Sequence, residues 1–185
     1  MRFGAGAKCG DLDLATQPNR AAICGLCHNV GTGYFVQGGY GALSRLHGLA
    51  IDSFISVDLV TSDGRLVTAS QDENPDLFWA VRGALPNFGV AVSFLVKTYD
   101  VTTFYGGNAE FLASSFPAVA DWVKARADDP NLHARHLFVI AANGMRVMVL
   151  TVALWGNDKT TEQKNEYFSS LFALDGAYII FTYII

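Results

Sequence analysis

The chain has 185 residues, 51% of them hydrophobic and 16% charged, with a formal net charge of −4. That length allows one domain, or one domain and part of another, and so apolar a composition excludes an intrinsically disordered chain. The mildly acidic balance and the lack of a Lys/Arg-rich run exclude a protein that tracks a phosphate backbone, so no nucleic-acid partner is expected.

The start, "MRFGAGAKCGDLD", has no apolar stretch of the kind a signal peptide needs, and it reads as if the chain opened inside a domain. "KCGDLDLATQ" predicts a short helix. A glycine-rich segment follows, then "ALSRLHG", one or two helical turns capped by Gly48. "SFISVDLVTSDGRLVTAS" predicts a β-hairpin: Ile55, Val57 and Leu59 alternate with Ser56, Asp58 and Val60, and Ser62-Asp63-Gly64 supplies the turn. In "ENPDLFWAVRG", Asn74 is the expected cap, Pro75 the first helical residue and Gly83 the stop. Leu77, Phe78 and Val81 form its core stripe, and Trp79 is given no chemistry. "NFGVAVSFLVKTYDV" predicts one long buried strand. After a composition shift at Tyr105-Gly106-Gly107, the expected order is a helix in "SFPAVADWVKARADD", two strands turning at Asn143-Gly144, a charged helix in "KTTEQKNEYFSSLFAL" and a last strand in "AYIIFTYII". That last run is too short to span a bilayer, so no membrane partner is expected. The pattern is α+β in two units, 1–104 and 105–185.

Two local patterns bear on function. The first is Cys24-x-x-Cys27-His28, the spacing used for covalent haem attachment. Met1, Met145 and Met148 are poorly placed as a second axial ligand. Zinc is a weaker candidate, because adjacent Cys27 and His28 rarely both reach one ion and His133-x-x-His136 on a strand points to opposite faces. A redox pair would open a helix, whereas this one opens a glycine-rich loop. No metal is expected. Three cysteines do not make a disulfide scaffold, and Cys24 reads as a small apolar filler. The second pattern is the loop itself, with Gly31, Gly33, Gly38, Gly39 and Gly41 inside eleven residues. It matches neither a Rossmann fingerprint nor a P-loop. Backbone without Cβ atoms can approach a flat or anionic ligand closely.

In order and spacing, the Val30-Gly31 loop, Gly38-Gly39-Tyr40-Gly41, "LSRLHGLAID", "VTSDGRLVTAS", "ENPDLFWAVRG" and "NFGV" together resemble one family. It is the FAD-linked oxidases of the vanillyl-alcohol-oxidase type, with a PCMH-type FAD-binding domain. The nearest subgroup is the berberine-bridge-enzyme-like and oligosaccharide oxidases. The resemblance covers roughly Ala5 to Asp100. It implies the second half of that FAD-binding domain, followed by the start of an antiparallel-sheet substrate domain with covering helices.

The resemblance also implies roles. Many members link the flavin C6 to a cysteine just before the Val-Gly loop, here Cys27, and a histidine from the earlier half of the domain makes a second bond. Val30, Gly31, Thr32 and Gly33 would run along the flavin and its pyrophosphate. Gly38, Gly39 and Gly41 would support that approach, and Val90 and Ala91 would present backbone to the cofactor. The implied activity is oxidation of an alcohol or carbohydrate with electrons passed to O2, and members are often secreted. Two departures stand out: the loop is one residue shorter than usual, with Tyr34 at the histidine position, and Leu85-Pro86 replaces common glycines. The upstream half-site would precede Met1 and the catalytic tyrosine would follow Ile185. Tyr178 and Tyr183 do not sit in that motif, so no catalytic residue is assigned and the chain is expected to be truncated. The alternatives are a remnant unable to hold FAD and, more distantly, the c-type haem protein.

Overall fold

The computed structural model describes residues 1–101, 104–140, 146–155, 160–175 and 177–180. It forms two compact units, Met1–Val101 and Thr102–Ile185. Both combine helices with antiparallel sheet.

The first unit runs β1 (Arg2–Gly4), α1 (Cys9–Thr16), β2 (Arg20–Ala21), α2 (Thr32–Phe35), α3 (Ser44–His47), β3 (Phe54–Val60), β4 (Leu66–Ser70), α4 (Pro75–Ala84), β5 (Val90–Val96) and β6 (Tyr99–Asp100). Its main sheet has the order β1-β5-β3-β4, and β2 pairs separately with β6. The expected hairpin is β3–β4, with Val57 opposite Ala69 and Val60 opposite Leu66. Val57, Leu59, Ala69 and Phe94 are buried on one face. Each large side chain among them is worth about 1.5–3 kcal/mol of burial.

Three expectations need correction. Ile55 does not share the core face of Val57 and Leu59. The β3–β5 register shifts between Phe54 and Ser56, so Phe54 and Ser56 are buried and Ile55 is 42% exposed. A bulge changes which side successive residues face. Nor is β5 buried along its length. Phe94 and Val96 are buried, but Val90 is 73% exposed and Val92 is also exposed. Pairing passes from Asp58–Ser93 to Leu59–Ala91 and skips Val92. Finally, Asn74 does not cap α4 with its side chain. It adopts a left-handed conformation (φ 51°), and its Nδ2 donates to the Thr68 carbonyl at 2.7 Å, tying the helix to β4. Pro75 is at the helix start as expected, and the helical path ends after Val81, with Gly83 at φ 124°. Phe78 and Val81 are buried, while Trp79 is 79% exposed.

On the outer face of this sheet, Asp58 gathers three donors. Ser93 Oγ donates to Oδ2 at 2.5 Å, Thr68 Oγ1 to Oδ1 at 2.9 Å, and Arg2 pairs with it. The Ser93 hydrogen bond, helped by Thr68 and Arg2 and opposed by partial burial, holds the Asp58 carboxyl below its usual range.

The second unit runs β7 (Phe104–Leu112), α5 (Phe116–Lys124), β8 (Leu132–Ile140), β9 (Arg146–Trp155), α6 (Thr161–Phe172) and β10 (Tyr178–Ile180), with sheet order β10-β7-β9-β8. β7 was not expected from the sequence, because Gly106-Gly107 weakens any strand signal. It nevertheless pairs with β9 along its whole length. Ala109 lies opposite Leu150 and Phe111 opposite Met148, all four buried. Gly106 lies against the β9 backbone, where a Cβ would stand 2.7 Å from the Ala153 Cα. β8 and β9 pair as expected, but Asn143-Gly144 between them and Tyr183 lie outside the described residues. Over this sheet, Phe168 stacks with Trp122 and Tyr105, ring centroids 5.9 Å apart in each pair. Helix α6 opens with a reciprocal cap: Thr160 Oγ1 accepts from the Gln163 amide, and Gln163 Oε1 accepts from the Thr160 amide.

Candidate functional site

The residues predicted to meet a cofactor lie in the first unit, in and on either side of α2 and at the start of β5. The loop is held from below by α1. The Cys9 and Gly10 amides, free donors at the start of that helix, donate to Val30 O at 2.8 Å and His28 O at 3.0 Å. Thr32 Oγ1 donates to Ala5 O at 2.6 Å, and the Ala5 amide donates to Val92 O at 2.9 Å. Ala5 thereby joins the loop at Thr32 to the strand that carries Val90 and Ala91. No residue pattern signals this role, which on the Ala5 side belongs to backbone atoms alone.

The glycines divide into two groups. At Gly31 and Gly33 an added Cβ would meet no heavy atom within 4 Å, so both face open space. At Gly39 a Cβ would stand 2.6 Å from the Ala50 Cβ, and at Gly41 it would run into the Cys24 carbonyl. Gly38 and Gly39 also need positive φ, at 122° and 76°. Their carbonyls accept the Ile51 and Ala50 amides at 3.0 and 2.8 Å, which pins the loop to a 3₁₀ turn at Ala50–Ser53. Tyr34 closes the same loop. Its hydroxyl donates to Tyr40 O at 3.0 Å and accepts from the Tyr40 amide at 3.1 Å.

The cysteine pentad is split by the fold. Cys24 is buried, with its Sγ 3.7 Å from Asp13 Oδ1, and burial pushes its thiol up. Cys27 and His28 are exposed. Such a division does not assemble the haem arrangement from Cys24, Cys27 and His28. His133 is buried in β8, and among the described residues no group of three or more His, Cys, Asp or Glu converges as metal ligands. His47 stacks on Tyr99 with centroids 3.9 Å apart, and burial lowers its pKa.

An exposed thiol therefore precedes a stretch of backbone that is open at Gly31 and Gly33. That opening can receive a flat ligand, and the thiol can attach to one. Val90 at the start of β5 is also uncovered. These features fit a flavin.

No protein-family model matches the chain. It is 48% identical over 129 residues to a xylooligosaccharide oxidase of Thermothelomyces thermophilus, a match covering 64% of this chain and 26% of that protein. It is 32% identical over 177 residues to berberine bridge enzyme-like 23 of Arabidopsis thaliana, covering 91% of this chain and 33% of that protein. Among solved structures, 6-hydroxy-D-nicotine oxidase of Arthrobacter nicotinovorans superposes with a TM-score of 0.87 and 28% identity, over 99% of this chain and 41% of that one. The fold and these matches point to a class, α+β chains built on antiparallel sheets and related to FAD-linked oxidoreductases. Within it, the chain belongs to the FAD-linked oxidases of the vanillyl-alcohol-oxidase type, in the berberine-bridge-enzyme-like and oligosaccharide-oxidase subgroup. Membership implies FAD as the cofactor. The chain spans between a quarter and a third of the length of these two curated relatives. Among the described residues no helix is long and apolar enough to cross a membrane.

Proposed function

We propose that this protein contributes the Cys27–Gly33 side of the FAD site in an oxidase of alcohol or carbohydrate substrates that passes electrons to O2. The observation that carries the reading is the open side of Gly31 and Gly33 directly after an exposed Cys27. The names of relatives support the substrate class: a xylooligosaccharide oxidase, a carbohydrate oxidase of Microdochium nivale and a chitooligosaccharide oxidase of Gibberella zeae.

In this reading Cys27 is the attachment point for the flavin. The backbone of Val30, Gly31, Thr32 and Gly33 lies along the cofactor, and Val90 and Ala91 present backbone to it. Gly38, Gly39 and Gly41 hold the loop's shape from behind. Thr32 orients the loop through Ala5 and so couples it to β5. When bound, FAD supplies the hydride acceptance and the transfer of electrons to oxygen, while the protein supplies position and environment. Residues 1–104 serve the cofactor and 105–185 the substrate side.

The test is to incubate the purified chain with FAD, precipitate it in acid and record the spectrum of the redissolved pellet. Flavin absorbance retained in the wild type and lost in Cys27→Ser is the expected result. A colourless wild-type pellet sinks covalent attachment. If flavin fluorescence is also unquenched on titration, the chain is the remnant that cannot hold FAD.

A further inference from the structure

We propose that Cys9 and Cys24 are a disulfide-forming pair, cross-linking α1 to the segment that leads into the Cys27 loop and leaving Cys27 as the sole free cysteine. The consequence for flavin attachment rests on the reading of Cys27 given above; the pairing itself does not.

The chain has three cysteines. Sequence spacing alone would pair Cys24 with Cys27 as a Cys-x-x-Cys couple. The fold separates those two, with Cys24 buried and Cys27 exposed, and brings the Cys24–Gly25 peptide to Cys9. Cys9 is 1% exposed and Cys24 7%. The Gly25 amide, one peptide bond beyond Cys24, donates to Cys9 Sγ at 2.9 Å. The Cys24 thiol itself reaches Asp13, one helical turn along α1 from Cys9. Both sulfurs therefore sit over the same turn of one helix. Disulfides need α-carbons roughly 4.4–6.8 Å apart. The contact of the Cys9 sulfur with the amide that follows Cys24 is the geometry that points to such reach.

The oxidant is hydrogen peroxide. Its O–O bond breaks and accepts two electrons and the two thiol protons, leaving as two waters. The two S–H bonds are replaced by one S–S bond. Asp13 is the titratable group facing the pair, and together with burial it keeps Cys24 protonated in the folded chain. The thiolate is the form that attacks, so the folded chain oxidises slowly and the pair is joined during folding, before burial is complete.

The chain is unfolded in urea under reducing conditions and refolded with one equivalent of hydrogen peroxide. It is then alkylated with iodoacetamide in urea, digested without reductant and mapped by mass spectrometry. The expected products are a peptide linking Cys9 to Cys24 and an alkylated Cys27. Cys27→Ser should leave the yield of the linked peptide unchanged. A Cys24–Cys27 or Cys9–Cys27 link, or three alkylated cysteines, overturns the pairing. A linked peptide together with a colourless acid pellet after FAD treatment supports the pairing and removes the attachment reading alone.

Discussion

Replacing Gly33 by alanine separates a cofactor role from a folding role, because the two predict effects of opposite sign. Gly33 lies inside α2, its φ is not in the left-handed region, and nothing within 4 Å would meet its Cβ. Alanine should stabilise the cofactor-free chain by roughly 0.5–1 kcal/mol through helix propensity and a less flexible unfolded state. For a unit of this size that corresponds to a Tm rise of about 2–8 °C. The same methyl group would occupy the open side of the loop, where the flavin is placed. The dissociation constant for FAD, read from quenching of flavin fluorescence, should rise by about tenfold or more, equivalent to 1.4 kcal/mol. Gly41→Ala is the control. Its Cβ would stand 3.2 Å from the Cys24 carbonyl carbon and closer still to its oxygen. That change should cost about 1–3 kcal/mol of stability. A Gly33→Ala chain that is more stable and binds FAD like the wild type would refute the assignment of that open side to the cofactor.

Further outcomes are expected elsewhere. Gly106→Ala should lower stability by about 1–3 kcal/mol in urea, since its Cβ would crowd the β9 backbone. Phe168→Ala, at a fully buried ring, should cost about 3–5 kcal/mol, whereas Trp79→Ala should stay within about 0.5 kcal/mol by the same measurement. Because the folded Asp58 carboxyl titrates below its usual range, its network adds stability at pH above about 4 and loses it as pH falls through the lower folded value. The drop in urea midpoint between pH 6 and pH 3 should therefore shrink in Asp58→Asn, and an unchanged drop would count against the network.

Elements announced by turn chemistry or helix signals were legible in the sequence. Ser62-Asp63-Gly64 gave the β3–β4 hairpin, and Pro75 and Gly83 bounded the path of α4. The strand β7 was hidden because its glycines carry no β signal; Gly106 is tolerated there because the neighbouring backbone leaves no room for a side chain. Ile55 and Val92 were misplaced by register shifts, which strict alternation cannot reveal. On the candidate site, glycine density marked the loop but could not sort its members. Gly31 and Gly33 are open, while Gly39 and Gly41 are crowded by Ala50 and Cys24. Ala5 was invisible because its contribution is one carbonyl and one amide.

The hydroxyl of Tyr34 does for Tyr40 what a neighbouring strand would do, answering both its carbonyl and its amide. The chain between the two residues is thereby a closed ring, with the Gly38 and Gly39 carbonyls tied off on its far side. A ring of that kind has its conformational freedom removed at folding rather than at ligand arrival. Calorimetry of cofactor binding should accordingly show little entropy loss from the loop. Tyr34→Phe, which opens the ring but keeps the aromatic bulk, would move that loss into the binding step.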